Sequence, residues 1–279
     1  MISYDISTKE KILIIDLILA FMLVFIGIGL WDEKDITLKG YELAKEADEI
    51  FIEFYTSKLM GTTAEKIERM LGREIKILER SDLEENSKII VKKAAEKDIA
   101  ILVPGDPVIA TTHSAITLEA RNMGVEVRVV HNASIITAVC GLTGLHNYRF
   151  GKSASVSHPH GGKVSRAPID VIRDNLCINA HTLLFLDLNP EPMTINQAIE
   201  ILNIADEENI LENCYAVGVA RAGSENAFVR CDRLNVLKEV DFGEPLHTLV
   251  ILAEKIHFTE FEYLKEFAGA PEELKNNII

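Results

Sequence analysis

Apolar residues along this chain fall into short continuous runs separated by stretches where they recur every three or four positions. That alternation is the signature of α/β architecture. The strand-like runs of the first half cover residues 23–28, 49–55, 75–78, 99–103 and 126–130. Helical patterns lie between them. Thr62 with Glu65 reads as a T-x-x-E capping box with Gly72 as the stop, and Ser81 with Glu84 as a second box opening a helix towards Lys97. Connections of about a dozen residues suit parallel strands, which need crossovers. The first half is therefore expected to form one mostly parallel sheet.

The second half repeats the alternation with a different texture. Strands are expected at 153–157, 182–188, 215–219, 227–231 and 248–252, and helices at 169–176, 194–204, 233–240 and 258–267. Arg221 to Ala227 reads as a hairpin turn, so this sheet should be mixed, with antiparallel pairs. The first alternation ends near residues 131–134, which predicts domains over 22–131 and 132–279. Residues 157–168, SHPHGGKVSRAP, read as an inserted loop.

The run ILIIDLILAFMLVFIGIGL over 12–30 complicates the start of the chain. Alone it resembles a membrane span, and a membrane-anchored binding protein is the reading it would support. Asp16 inside the run is costly in hydrocarbon, and the second half of the run reads equally as a buried first strand entering a Gly-x-Gly turn. Met22 stands directly before that strand. The working chain is accordingly expected to begin at Met22, with residues 1–21 an extension and no membrane contact.

Composition narrows the partners. With 279 residues, 48% of them hydrophobic, the chain can bury the cores of two modest domains. It carries 43 Asp and Glu against 29 Lys and Arg, a net charge of -14. That balance argues against nucleic acid and leaves a small molecule or a basic protein surface. Cys140, Cys177, Cys214 and Cys231 make no C-x-x-C pair, so neither a zinc site nor a disulfide framework is expected, and a reducing, cytoplasmic setting follows.

Candidate chemistry sits at strand ends, where open parallel sheets bind ligands. Gly27 and Gly29 in IGIGL would let a backbone approach a ligand, although Asp32 stands where a dinucleotide fingerprint needs its third glycine. In PGDPVIATTH (104–113), Asp106 offers a carboxylate to a ribose hydroxyl or an amine. A helix cap by Thr111 or Thr112 fits the same residues equally. Asn132-Ala-Ser-Ile135 leaves room for a ligand, or Ser134 simply caps a helix. Arg221-Ala-Gly-Ser224 and His247 end the series, and a lone histidine beside a strand is more often structural. His158-Pro-His160 lacks a third ligand for a metal site. No G-x-S-x-G, P-loop or H-E-x-x-H occurs.

Taken in order, GIGLWDEKDITLKG (27–40), EFYTSKLMGTT (53–63), PGDPVIATTH, HNASI (131–135), GLTGLHNYRFGKSA (141–154), HTLLFLDL (181–188) and VGVARAGSE (217–225) resemble the diphthine synthase family. That family belongs to the tetrapyrrole-methylase-like class of S-adenosylmethionine-dependent methyltransferases. The resemblance implies two α/β domains of the tetrapyrrole methylase type, an S-adenosylmethionine cleft between them, and a homodimer. By motif it carries the cofactor contacts onto Leu30, Asp106, Ile109, Ser134, Ile135, Leu186, Ala222 and His247. The implied reaction is trimethylation of the amino group on an aminocarboxypropyl-modified histidine of translation elongation factor 2. Tyr55 is a candidate neighbour for the growing cation, and no general base is assigned. Residues 157–176 depart from the family pattern in lacking aromatics. A tetrapyrrole or corrinoid methylase of the same fold is the rival reading, against which EFYTS and DITLKG speak.

Overall fold

The computed structural model describes residues 21–109 and 113–279. The expected extension over 1–21, Phe21 excepted, and the helix caps at Thr111 or Thr112 lie outside the described residues. By its contacts the chain divides into two compact units, the first ending at Ala133 and the second starting at Ser134.

Five parallel strands form the sheet of the first unit: β1 (Met22–Gly27), β2 (Glu49–Glu53), β3 (Ile75–Leu78), β4 (Ile99–Val103) and β5 (Glu126–Val130), in the order β3-β2-β4-β1-β5. Burial explains the order. Every residue of β4 is buried, as is β1 from Leu23 on, whereas Lys76 of β3 and Glu126 and Arg128 of β5 are exposed at the edges. A strand covered on both faces reads as a continuous apolar run, and charged edge strands discourage pairing with another chain. Alternate residues supply two cores. Leu23, Phe25, Phe51, Ile99 and Ile101 pack in one, and Val24, Ile26, Ile50, Ile52, Ala100 and Leu102 in the other.

The covering helices are α1 (Leu38–Glu46), α2 (Ala64–Leu71), α3 (Arg80–Glu84), α4 (Ser87–Ala94) and α5 (His113–Asn122). Two start signals are displaced from their expected places. The cap of α2 is Thr63, whose hydroxyl accepts from the Lys66 N–H, while Gly72 ends the helix at φ 66° as expected. The helix expected from Ser81 towards Lys97 is broken into α3 and α4. Glu79 and Asp82 cap α3 reciprocally, and the Asn86 N–H closes its end on the Ser81 carbonyl at 2.9 Å. Ser81 therefore lies inside the first turn of α3, which Glu79 opens two residues earlier.

The second unit has β6 (Ala154–Val156), β7 (Thr182–Leu186), β8 (Tyr215–Ala220), β9 (Phe228–Arg233) and β10 (His247–Ile251), in the order β6-β7-β10-β8-β9. Only β6 and β7 pair in parallel; the other neighbours are antiparallel, and β8–β9 is the expected hairpin. Its helices are α6 (Ile135–Thr143), α7 (Ala167–Cys177), α8 (Ile195–Ala205), α9 (Leu234–Leu237) and α10 (Phe258–Ala268). Helix α9 is a single turn, shorter than the expected 233–240. Among the described residues no helix is long and apolar enough to cross a membrane, and residues 22–27 of the apolar run are β1.

Candidate functional site

The loops leaving β1, β4 and β5 all start from the carboxyl edge of the first sheet, and they are laced together. Gly29 and Gly105 form an antiparallel bridge, with Gly105 N–H to Gly29 O at 2.6 Å and Gly29 N–H to Gly105 O at 3.3 Å. Gly29 sits at φ 81°, a conformation that favours glycine, and a Cβ there would lie 2.3 Å from the Asp35 Cβ. A Cβ on Gly27 would meet the Gly105 oxygen at 2.7 Å, the Asn132 Cβ at 2.8 Å and Pro107 at 2.9 Å. The two glycines of IGIGL thus serve backbone-on-backbone packing of the three loops.

Polar side chains complete the lacing. The Asp35 carboxylate accepts the N–H groups of Leu30 at 3.0 Å and Trp31 at 2.7 Å. Asn132 donates its side-chain amide to the carbonyls of Gly27 and Asp35, both at 2.9 Å. Asp106, its side chain 13% exposed, lies 2.9 Å from His131 Nδ1 and accepts the Asn132 N–H at 3.3 Å. Val108, in the same loop, stands at φ 69°, a position a β-branched residue rarely occupies and one that concentrates at ligand sites.

Leu30 and Asp106 therefore flank the bridged glycines, and the exposed Ile109 ends the described part of the same loop. Sequence reasoning named these three but gave no role to Asp35, His131 and Asn132, although all lie in quoted motifs. Their signal was a polar side chain one to eight residues beyond a strand end, where it can reach a neighbouring loop.

In the second unit, Ser134 caps α6, its hydroxyl accepting from Ile136 N–H at 3.3 Å, and Ile135 is the first helical residue. The helix-cap alternative for Ser134 is thus realised. Leu186 ends β7, while Ala222 follows the end of β8 and His247 opens β10, paired with Ala220. Antiparallel order puts these three at one edge of the second sheet. The Arg221 N–H donates to the Leu246 carbonyl at 2.8 Å, and its guanidinium holds the carbonyls of Phe242 and Glu244.

The His247 ring is committed within the protein. Nδ1 accepts the Ile195 N–H at 3.2 Å, so Nε2 carries the hydrogen and donates to the Glu244 carbonyl at 3.1 Å. Burial pushes its pKa down to about 4. Ser134 and His247 thus anchor secondary structure at the places the sequence marked for a ligand.

A further polar pair lies under the carboxyl edge of the first sheet. Glu53, fully buried at the end of β2, stands 3.8 Å from Nε2 of His113, the equally buried first residue of α5. Burial raises the Glu53 pKa against the pull of hydrogen bonds from Thr56 and the Tyr55 N–H, and it lowers that of His113 to about 4. Tyr55 packs its ring against the core that includes Phe25 and Phe51. Among the described residues no cluster of three potential metal ligands occurs.

Comparison with known proteins adds four findings. Residues 22–235 match the sequence profile of the family described as Tetrapyrrole (Corrin/Porphyrin) Methylases. The chain is 57% identical over 254 residues to the diphthine synthase of Archaeoglobus fulgidus, covering 91% of this chain and 98% of that one. It is 46% identical over 260 residues to the diphthine synthase of Methanosarcina barkeri, covering 90% and 97%. A crystal structure of a diphthine synthase, 56% identical, superposes with a TM-score of 0.87 over 92% of this chain and 99% of that one.

Proposed function

Since the chain belongs to the tetrapyrrole methylase family, in its diphthine synthase branch, we propose that it transfers methyl groups from S-adenosylmethionine to the amino group of an aminocarboxypropyl-modified histidine on translation elongation factor 2. It is a methyltransferase of diphthamide biosynthesis. The observation that carries the reading is the likeness to named diphthine synthases over nine-tenths of the chain. The family profile alone would fit a corrinoid methylase as well; the names of the relatives favour the diphthamide branch.

The residues present fit the cofactor. The tethered carboxylate of Asp106, with the exposed Ile109 in the same loop, suits a ligand with an apolar body and hydroxyl or ammonium groups. Leu30, Asp106 and Ile109 from the first unit would hold it, with Ser134, Ile135, Leu186, Ala222 and His247 from the second. When bound, S-adenosylmethionine supplies an electrophilic sulfonium methyl. The protein's part is chiefly alignment and exclusion of water, effects worth roughly 7–11 kcal/mol in favourable cases. His131 and Asn132 fix Asp106 in place, and Asp35 fixes the turn that carries Leu30. Asp106 acts in this reading as a holder of cofactor and not as a base.

The reading includes trimethylation, a homodimer and action in the cytoplasm, where an elongation factor works. The deciding experiment is mass spectrometry of elongation factor 2 bearing the unmethylated modification, after incubation with this protein and S-adenosylmethionine. Three successive methyl masses are expected; no gain would overturn the reading, and a stop at fewer or more would correct the count.

A further inference from the structure

Strand β2 lies beside β4 in the first sheet, so the loops that follow them leave from the same edge. Glu53 sits beneath both. Its Oε2 accepts the N–H groups of Tyr55 at 3.1 Å and Thr56 at 3.0 Å, and its Oε1 accepts the Thr56 hydroxyl. On the other side is His113, where the 104–113 loop gives way to α5, its ring against Phe25 with centroids 5.2 Å apart. One carboxyl group therefore holds the start of the 54–62 loop and abuts the end of the loop that carries Asp106.

The far end of the 54–62 loop is fixed as firmly. The Gly61 N–H donates to the Trp31 carbonyl at 3.0 Å, and a Cβ at Gly61 would lie 2.4 Å from the indole nitrogen. Lys66 Nζ donates to the Gly61 carbonyl at 3.0 Å. The segment is thus pinned at both ends, to β2 and to the turn after β1, along the edge where ligands of open parallel sheets bind.

A purely structural strand end would be served by an apolar side chain. A fully buried carboxyl facing an imidazole that burial keeps neutral costs the fold something. Such costs gather where a protein needs a fixed geometry for its chemistry.

We propose that Glu53 is a positioning residue for acceptor methylation, holding the Tyr55–Thr56 turn and the 54–62 loop in the form that aligns the acceptor amine. It touches neither substrate itself. This rests on the N-methyltransferase reading above.

The test uses the full chain carrying Glu53→Gln, which keeps the volume but places an amide N–H₂ where donors already converge. Methylation of elongation factor 2 bearing the unmethylated modification is followed by mass spectrometry, and S-adenosylmethionine binding by calorimetry. Expected are at least a tenfold fall in kcat, a KM for the protein substrate within threefold of wild type, and unchanged cofactor affinity and stoichiometry. Alignment lost without binding lost has that signature. Thr56→Val, which removes only the hydroxyl, should lower kcat three- to tenfold, and it carries the test alone if Glu53→Gln does not fold.

A kcat within twofold of wild type in the folded variants overturns the inference. So does a loss of activity in Thr56→Val matched by an equal loss of binding stoichiometry, because the contact then serves folding alone. Failure of the wild-type chain to methylate this substrate would instead overturn the functional reading on which the inference rests.

Discussion

Among the described residues each unit buries one glutamate completely, and the two are held in opposite ways. Glu53, in the first unit, receives two backbone N–H groups and a hydroxyl and faces a neutral imidazole; burial dominates and its pKa is raised. Glu260, in the second, opens α10 and receives the N–H groups of His146 at 2.9 Å and His257 at 2.8 Å. It also has His181 Nε2 at 3.3 Å and Arg149 Nε at 3.5 Å. Burial opposes its ionisation too, yet His181 and the two N–H groups pull its pKa down to about 2. The lesson is one of purpose. Glu260 ties the start of α10 to the 146–149 loop and the entrance of β7, far along the strands from Leu186 and His247, so it serves the fold. Glu53 lies beneath the carboxyl edge of the first sheet and costs the fold something.

The comparison can be broken at several points. The largest effect is expected for Glu260→Gln, which leaves Arg149 without its carboxylate in a buried setting and should cost about 3–5 kcal/mol in urea unfolding. Trp31, the single tryptophan, reads the first unit, while backbone circular dichroism reads both. A loss below about 1 kcal/mol would show that Glu260 is no keystone.

Next comes Asp106→Ala, expected to weaken S-adenosylmethionine at least a hundredfold, about 2.7 kcal/mol, with the unfolding midpoint held. Calorimetry showing unchanged affinity would remove Asp106 from the site. Gly27→Ala should follow at about 2 kcal/mol, since its methyl would press on the backbone oxygen of Gly105, which cannot swing aside. Thermal unfolding at neutral pH would read it, and an unchanged midpoint would mean that the three loops separate freely.

The smallest effect is the most telling. Glu53→Gln removes the charge that burial disfavours but sets an amide N–H₂ among donors, so the two effects offset and stability at pH 8 should change by less than about 1 kcal/mol. A loss as large as that of Glu260→Gln would erase the contrast.

The pH dependence follows from the same groups. The stabilisation from Glu260 is present above its unfolded pKa, near 4.5, and is lost as pH falls towards about 2. His113 and His247, with pKa pushed down to about 4 from 6.5, favour the fold less as pH falls between those values. A urea midpoint that falls from pH 7 to 4, and again from 4.5 to 2, is the expected pattern. For Glu53 the sign is reversed, because its charged form is the one disfavoured in the fold.

Strands β1 and β4 were legible because both of their faces are buried, which makes their sequence continuously apolar. Helix α1 carried no such mark, since only the small residues Gly40 and Ala44 are buried on it, and small residues leave no hydrophobic stripe. The break between α3 and α4 was hidden because Ser81 has the chemistry of a cap yet lies within the turn that Glu79 opens. At the site, the loops could be placed from their strand ends. The partners could not, since Asp106–His131 and His247–Ile195 join residues 25 and 52 positions apart, distances over which local pattern is silent.

The bridge between Gly29 and Gly105 has a consequence for engineering. Two hydrogen bonds button the turn after β1 to the loop after β4, so neither is a separable module. Transplanting PGDP from a relative without its matching IGIGL turn would leave both buttonholes misaligned. Loop exchange in this scaffold has to move the two segments as one cassette, and together with them Asn132, the stitch that closes over both.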